Sequence, residues 1–250
     1  MKSRRFLALC LLLVACGLYR SWANPSPLPD TVSAAYQGLR DAVYNSEPLL
    51  QIESLYMGSL ETLSAAGLPS RESRYWGSRF ECLVARGYRT RGDKKQTEVH
   101  CERGLALIEE AMAEGSFSEG WRMKSELLGQ LCLVKGLGFV MANGLKARNY
   151  AEEALRMDPG NAAAQIFVAS SRIYPPALFG GNPRLGIELM QKAIALGPAE
   201  RDDLFNIYSG LGMAHQKLRD FADARSWFAK ALELFPGNAF VRKEYARLAP

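Results

Sequence analysis

Few residues in this chain could do chemistry. His100 and His215 are the two imidazoles in 250 residues. His215 reads as lacking an aspartate or cysteine close enough in sequence to complete a triad or a metal site. His100 adjoins Cys101, but neighbouring positions on a helix point about 100° apart, so the two would not share a metal easily. Of the five cysteines, Cys10 and Cys16 belong to an apolar leader. Cys82, Cys101 and Cys132 remain, with no CxxC or Cys/His ligand spacing. They read as small buried side chains, and a disulfide stays open if the compartment is oxidising. "GLGFVMANG" (136–144) holds a GxG but lacks the strand–turn–helix context of a phosphate loop. Glu109–Glu110 and Asp202–Asp203 read as solvated faces and helix starts. The expectation is a protein without catalytic residues, metal or cofactor. Arg79, Arg86 and Arg89 share a helix face at i, i+7 and i+10, which suits an acidic tail, a lipid head group or plain solubility.

The elements that would position such groups are helical. Ala, Leu, Glu, Lys and Arg dominate, and alternating Val/Ile/Thr runs are absent, so the chain is expected to be all-α. Lys2, Arg4 and Arg5 precede the apolar run "FLALCLLLVA", which is too short to anchor stably across a bilayer and reads as a signal peptide within residues 1–23. "LVAC" fits lipobox cleavage with acylation of Cys16, and "SWA" fits ordinary cleavage after Ala23. Cleavage at Ala23 removes Lys2, Arg4, Arg5 and Arg20 from 31 basic residues and leaves 27 against 26 acidic ones. The mature chain is therefore close to neutral, and its basic character gives no argument for nucleic acid. Residues 30–250 are expected to form one helical domain. Its destination is the periplasm, with an anchor in the outer membrane if Cys16 is acylated.

The last third repeats itself. In residues 208–238 a helix with Leu211–Gly212 is followed by a turn at Arg219–Asp220. A second helix then places Ala224, Phe228 and Ala231 on one face, and "FPGN" ends it. Small residues let two antiparallel helices approach, and Phe228 fills the space beside them. This series resembles the tetratricopeptide repeat, a unit of about 34 residues; Tyr208, Leu211, Gly212, Ala224, Phe228, Ala231 and Pro236 carry the resemblance, and His215 stands where an aromatic is usual. Ala154/Pro159 and Ala193/Pro198 repeat the spacing, and residues 83–107 align as a weaker copy through Tyr88, Thr97, Cys101 and Gly104. The expected architecture is a solenoid of about four helix pairs from about residue 79 to 238. A final helix over 239–249 and two N-terminal helices near 31–45 and 48–66 would cap it. "YPPALFGGNPRLGIELMQKAI" and "LVKGL…ANGLKARNYAEEALRMDP" resemble exported repeat proteins of spirochaetes and other bacteria. More distantly, the chain resembles the repeat lipoproteins associated with TRAP-type transporters.

In such a solenoid the first helix of each pair lines the concave surface. The register places Arg79, Cys82, Arg86 and Arg89 there in the first repeat. The second contributes Gly129, Cys132, Gly136, Phe139 and Val140, and the third Ala163, Ile166, Ser170, Ile173 and Tyr174. The fourth contributes Asn206, Ser209, Met213, Gln216 and Lys217. The middle two are apolar enough to require a cover: a ligand, a partner segment or another part of this chain. The insert "YPPALFGGNP" (174–183) follows the third of these helices. Leu178 and Phe179 either fold over the groove mouth or pack on the next helix as a spacer. The expected function is binding without catalysis. It is either a scaffold for a periplasmic protein or peptide segment, or a carrier of a small apolar ligand serving a transport system. Assembly with further copies of the chain stays open.

Overall fold

The computed structural model describes residues 28–198 and 200–248. The leader, Cys16 and most of the tether lie outside the described residues. Within them the chain forms eleven α-helices and no strand. They are α1 (Asp30–Tyr44), α2 (Leu49–Ala65), α3 (Ser70–Thr90), α4 (Lys94–Ala113), α5 (Ser118–Val134) and α6 (Leu137–Met157). Then follow α7 (Ala162–Ile173), α8 (Pro183–Ala195), α9 (Arg201–Lys217), α10 (Phe221–Leu234) and α11 (Ala239–Arg247). Side-chain caps start four of them. Asp93, Asn161, Asn182 and Asn238 each accept from a backbone N–H three residues on, which satisfies one of the donors a helix start leaves free.

The four expected pairs are α3/α4, α5/α6, α7/α8 and α9/α10, and α11 closes the C-terminal end. The first pair starts at Ser70, earlier than its repeat signal. In the fourth pair Phe228 and Ala231 are fully buried, as the repeat pattern requires. The N-terminal helices do more than cap. Tyr36 of α1 meets Trp76 and Phe80 of α3 at 5.5 and 6.3 Å, and Arg86 further along α3 lies over Tyr44 at 5.0 Å. Contacts that advance in the same direction along both helices mean that α1 lies parallel to α3. Ile52 of α2 then sits against Gly87. The arrangement is that of a fifth helix pair stacked before the first repeat.

The ends of the solenoid meet. Tyr44 at the end of α1 stacks on Phe235 at 4.9 Å and meets Phe205 edge-on at 5.2 Å. The following turn is stitched to the end of the last repeat. Asn45 accepts from the Gly237 N–H, Ser46 from the Ala239 N–H, and the Tyr44 carbonyl from Asn238. A Cβ on Gly237 would stand 2.4 Å from the Asn45 carbonyl oxygen, so this close approach needs glycine. Charge follows the same seam. Arg40, buried, pairs with Asp41 and Glu200 at 3.1 Å and with Asp202 at 3.7 Å, and Arg201 reaches Asp41 at 3.0 Å. One continuous apolar core accordingly runs from Val32 through Phe80 and Leu127 to Phe235 and Val241. The third repeat keeps a smaller core of its own around Ile173, Met190 and Leu211. The helix pairs thus close into a ring.

Candidate functional site

Ring closure changes what the inner surface is. Where the sequence suggested an apolar groove, the structure has a pocket of about 340 Å³ walled by charged side chains. Tyr36 and Tyr44 come from α1, Arg79 and Arg86 from α3, and Glu119, Arg122 and Glu126 from α5. The starts of α7 and α9 and the loops before them complete it, with Ala163, Glu200, Asp202 and Asp203 among the lining residues. Arg122 is saturated: it pairs with Glu119 at 2.8 Å and Glu126 at 3.1 Å. Tyr75 donates to Glu119 at 2.6 Å and Asn161 donates to it at 2.7 Å. Burial alone would raise the Glu119 carboxyl, but Arg122 and the Tyr75 hydroxyl hold it down at about 2. Arg79 is clamped differently. Its guanidinium lies 4.1 Å from the Tyr36 ring centre and 4.6 Å from that of Trp76, and it donates to the Tyr36 hydroxyl at 2.6 Å.

The first repeat's lining is placed as the register implies, with Arg79, Cys82 and Arg86 on the pocket. Arg89 reaches Gln130 instead, at 3.4 Å. Other expected lining residues are elsewhere. Gly129 is small because a side chain there would run into the Phe167 ring, 2.7 Å from its Cβ position; it makes room for a neighbouring helix, not for a guest. The second pair breaks at Lys135–Gly136. Gly136 is thus an exposed turn residue, and Phe139 and Val140 belong to the second helix of the pair, where Phe139 leans on the core. Cys132 is half-buried near the end of α5. Ile166 and Ile173 are core residues of the third repeat, because the α7 face that carries them turns toward α8 and α9. Ser170 is half-buried, and its carbonyl accepts from the Tyr174 N–H. Asn206 donates to the Tyr44 hydroxyl at 3.1 Å, so the chain's own first helix covers that position. Met213 leans on the core, Ser209 is buried, and Gln216 donates to Glu244 of α11.

The insert is neither lid nor plug. Lys217 of α9 donates to the carbonyls of Ile173 and Tyr174 at 2.6 and 2.7 Å, and the Asn182 N–H donates to the Arg172 carbonyl at 2.7 Å. The segment is folded tightly on itself with a 3₁₀ turn at Ala177–Phe179. Leu178 is 87% exposed, Phe179 and Tyr174 are exposed as well, and none of the three lines the pocket.

Helix lengths account for the surroundings of the insert. Helix α6 has 21 residues and its neighbour α7 only 12. At 1.5 Å per residue α6 overshoots by about 13 Å. Its first turns extend past the end of α7, and the face they turn away from α5 carries Leu137, Met141 and Leu145 at four-residue spacing. Leu137 and Met141 are 63% and 64% exposed, with Leu145 and Leu133 exposed likewise. The insert leaves the end of α7, at the level of this overhang. Exposed Phe221 opens α10 at the next turn of the same kind. Three successive turns within helix pairs, in repeats two to four, therefore carry exposed apolar side chains along one edge. The corresponding turn of the first repeat carries Arg91, Gly92 and Asp93. Sequence reasoning left Leu178 and Phe179 either over a groove mouth or packed on the next helix as a spacer, and missed Leu137, Met141 and Leu145 altogether. Their i, i+4, i+8 spacing was the available signal.

The two histidines lie in different surroundings. His100 lies between Tyr56 and Tyr88 and bonds Glu81 at 2.6 Å in the core of the first pair. His215 does have aspartates beside it, which the sequence reading overlooked: Asp220 at 3.6 Å, just before α10, and Asp223 at 3.8 Å, in the first turn of α10. No cluster among the described residues could hold a metal ion.

Residues 205–238 match the family model described as tetratricopeptide repeat. TTC0263, a thermophilic repeat protein of that kind from Thermus thermophilus, is 19% identical. It aligns over 85% of this chain and 98% of its own with a TM-score of 0.55. The haemophore HusA of Porphyromonas gingivalis is 17% identical over 75% of this chain and 94% of its own, with a TM-score of 0.57. No curated protein matches. The last pair is a tetratricopeptide repeat and the chain has the solenoid fold built from such repeats; the link to TRAP-type transporters gains no support from these matches.

Proposed function

We propose that this protein is a non-catalytic scaffold that docks a partner protein on its apolar edge. The observation that carries the reading is the stripe of Leu137, Met141 and Leu145 on the overhang of α6, with Leu133 beside it. Single exposed leucines are ordinary, but a stripe at helical spacing with nothing packed on it is the half of a helix–helix contact that a partner helix would complete. Lys146, Arg172, Arg184 and Arg219 come from the elements that bear the edge, so the partner segment would be an amphipathic helix with acidic flanks. Within this reading the chain is exported through its N-terminal leader, residues 30–250 act as one unit, and Cys16 or cleavage at Ala23 decides whether a lipid holds it in the periplasm. The carrier of an apolar molecule is the weaker reading, because the interior space is walled by charge.

A photo-crosslinking residue placed at Met141, and separately at Leu178, tests the proposal in the producing cells. Both positions should capture the same discrete polypeptide, and Lys95, on the polar turn of the first repeat, should not. No protein adduct at either position, adducts to lipid alone, or equal capture at Lys95 would overturn it.

A further inference from the structure

The pocket in the ring holds charges that the fold only partly partners. On the α3 wall, Arg86 makes no hydrogen bond and has no carboxylate within 4.0 Å among the described residues; its guanidinium lies over the face of Tyr44 at 5.0 Å, with Glu126 and Asp202 acting on it from further off. Arg79 is held by aromatic faces and one phenol, which leaves most of its N–H donors free. Facing them, at the first turn of α9, stand Asp202 and Asp203. Asp202 is only 9% exposed, and its Oδ1 accepts no hydrogen bond, with Arg40 standing off at 3.7 Å. Asp203 has no ion pair or side-chain hydrogen bond among the described residues. The third arginine of the pocket, Arg122, is by contrast fully matched by Glu119 and Glu126.

Buried polar groups are normally paired, and a pocket that keeps two guanidiniums with spare donors opposite two under-partnered carboxylates is built for something that pairs with both. A simple anion would meet the aspartates, and a simple cation would meet the arginines. We propose that the ring pocket is a binding site for a small zwitterion of the free amino acid class, its carboxylate on Arg86 and Arg79 and its ammonium on Asp202 and Asp203. The pocket's 340 Å³ is ample for a molecule of that class. The charges already sense one another: after burial, the strongest influence on Asp202 is Arg79, and on Asp203 it is Asp202, with Arg122, Glu126 and Arg79 behind it. Burial and Asp202 together push the Asp203 carboxyl up to about 7, the behaviour of a carboxylate that lacks its cation.

The test is isothermal titration of the purified full chain with individual L-amino acids, β-alanine and γ-aminobutyrate. Propionate and ethylammonium carry the two charges separately. At least one zwitterion should bind in the millimolar range or tighter, and the single-charge compounds should bind about tenfold more weakly or not at all. R86Q and D203N should each weaken the zwitterion about tenfold or more, and R86K should recover part of the loss. Should R86Q fail to fold, the near-isosteric D203N decides alone. Absence of any zwitterion binding, propionate or ethylammonium binding as well as the zwitterion, or unchanged affinity in D203N overturns the proposal.

Discussion

The pocket and the outer edge invert the usual order of polarity in opposite senses. Inside the ring, Arg79, Arg86, Glu119, Arg122, Asp202 and Asp203 stand where a solenoid of this size would be expected to bury apolar surface. On the edge, Leu133, Leu137, Met141, Leu145 and Leu178 stand in solvent. Neither arrangement helps the isolated chain. Buried charge is costly unless matched, and exposed apolar area gains nothing from folding. In the pocket the cost is partly met by pairing, and the residues left over mark a guest. On the edge nothing offsets it at all, which marks a partner. The two regions also differ in what builds them: the pocket exists because residues 160 positions apart meet at the seam, the edge because one helix is longer than its neighbour.

Opening the seam should separate the two regions most severely. Tyr44→Ala deletes a buried ring that stacks on Phe235 and meets Phe205 edge-on, and should lower stability by about 3–5 kcal/mol, read from urea unfolding. X-ray scattering should show a larger radius, and an open ring would lose the pocket while leaving the edge intact. Next comes pH. Asp203 has its folded value raised from 3.8 to about 7, so the native state binds the extra proton and stability falls as pH rises from about 4 through 7. Glu119 is depressed from 4.5 to about 2, so its contribution is present above 4.5 and disappears as pH falls through 2. D203N should abolish the first slope, gaining about 2 kcal/mol over wild type at pH 8 after allowance for partial exposure, and E119Q the second. Denaturant midpoints across pH 2–8 would show it. The edge should behave in the opposite way. The double change L137D/M141D should shift stability by less than about 0.5 kcal/mol while abolishing partner capture. The smallest effect is expected for Leu178→Ser, within the error of a thermal melt, because that side chain contacts almost nothing.

Much of this is legible in the sequence. Periodicity, caps and the Ala-to-Pro spacing locate the helices and the repeats, because those signals act over a few residues. Two local errors have local causes. The break at Lys135–Gly136 hides in a run without proline, "LVKGLGFVMANG", so the repeat register carries Phe139 and Val140 onto the wrong helix. The pair α1/α2 lacks the Leu–Gly and Ala–Phe–Ala series and so reads as a cap, although it stacks as a repeat. The lining suffers from a different limit. The solenoid register tells which face of α3 turns inward and so places Arg79 and Arg86. It does not tell how tightly the superhelix curls. That depends on contacts such as Arg40 with Glu200 and Tyr44 with Phe235, which no short window contains. The sequence allows that another part of the chain covers the groove, and at Asn206 it is α1 that does so.

The central claim is that the overhang of α6 and the insert form one docking surface. The deciding measurement is the crosslink yield from a photo-reactive residue at Leu178 when Leu137 and Met141 on the separate helix are changed to Asp. A loss of the captured partner by about tenfold or more, with the fold unchanged, is the result predicted for a single hydrophobic contact area. An undiminished yield would mean that α6 takes no part in binding and would contradict the claim.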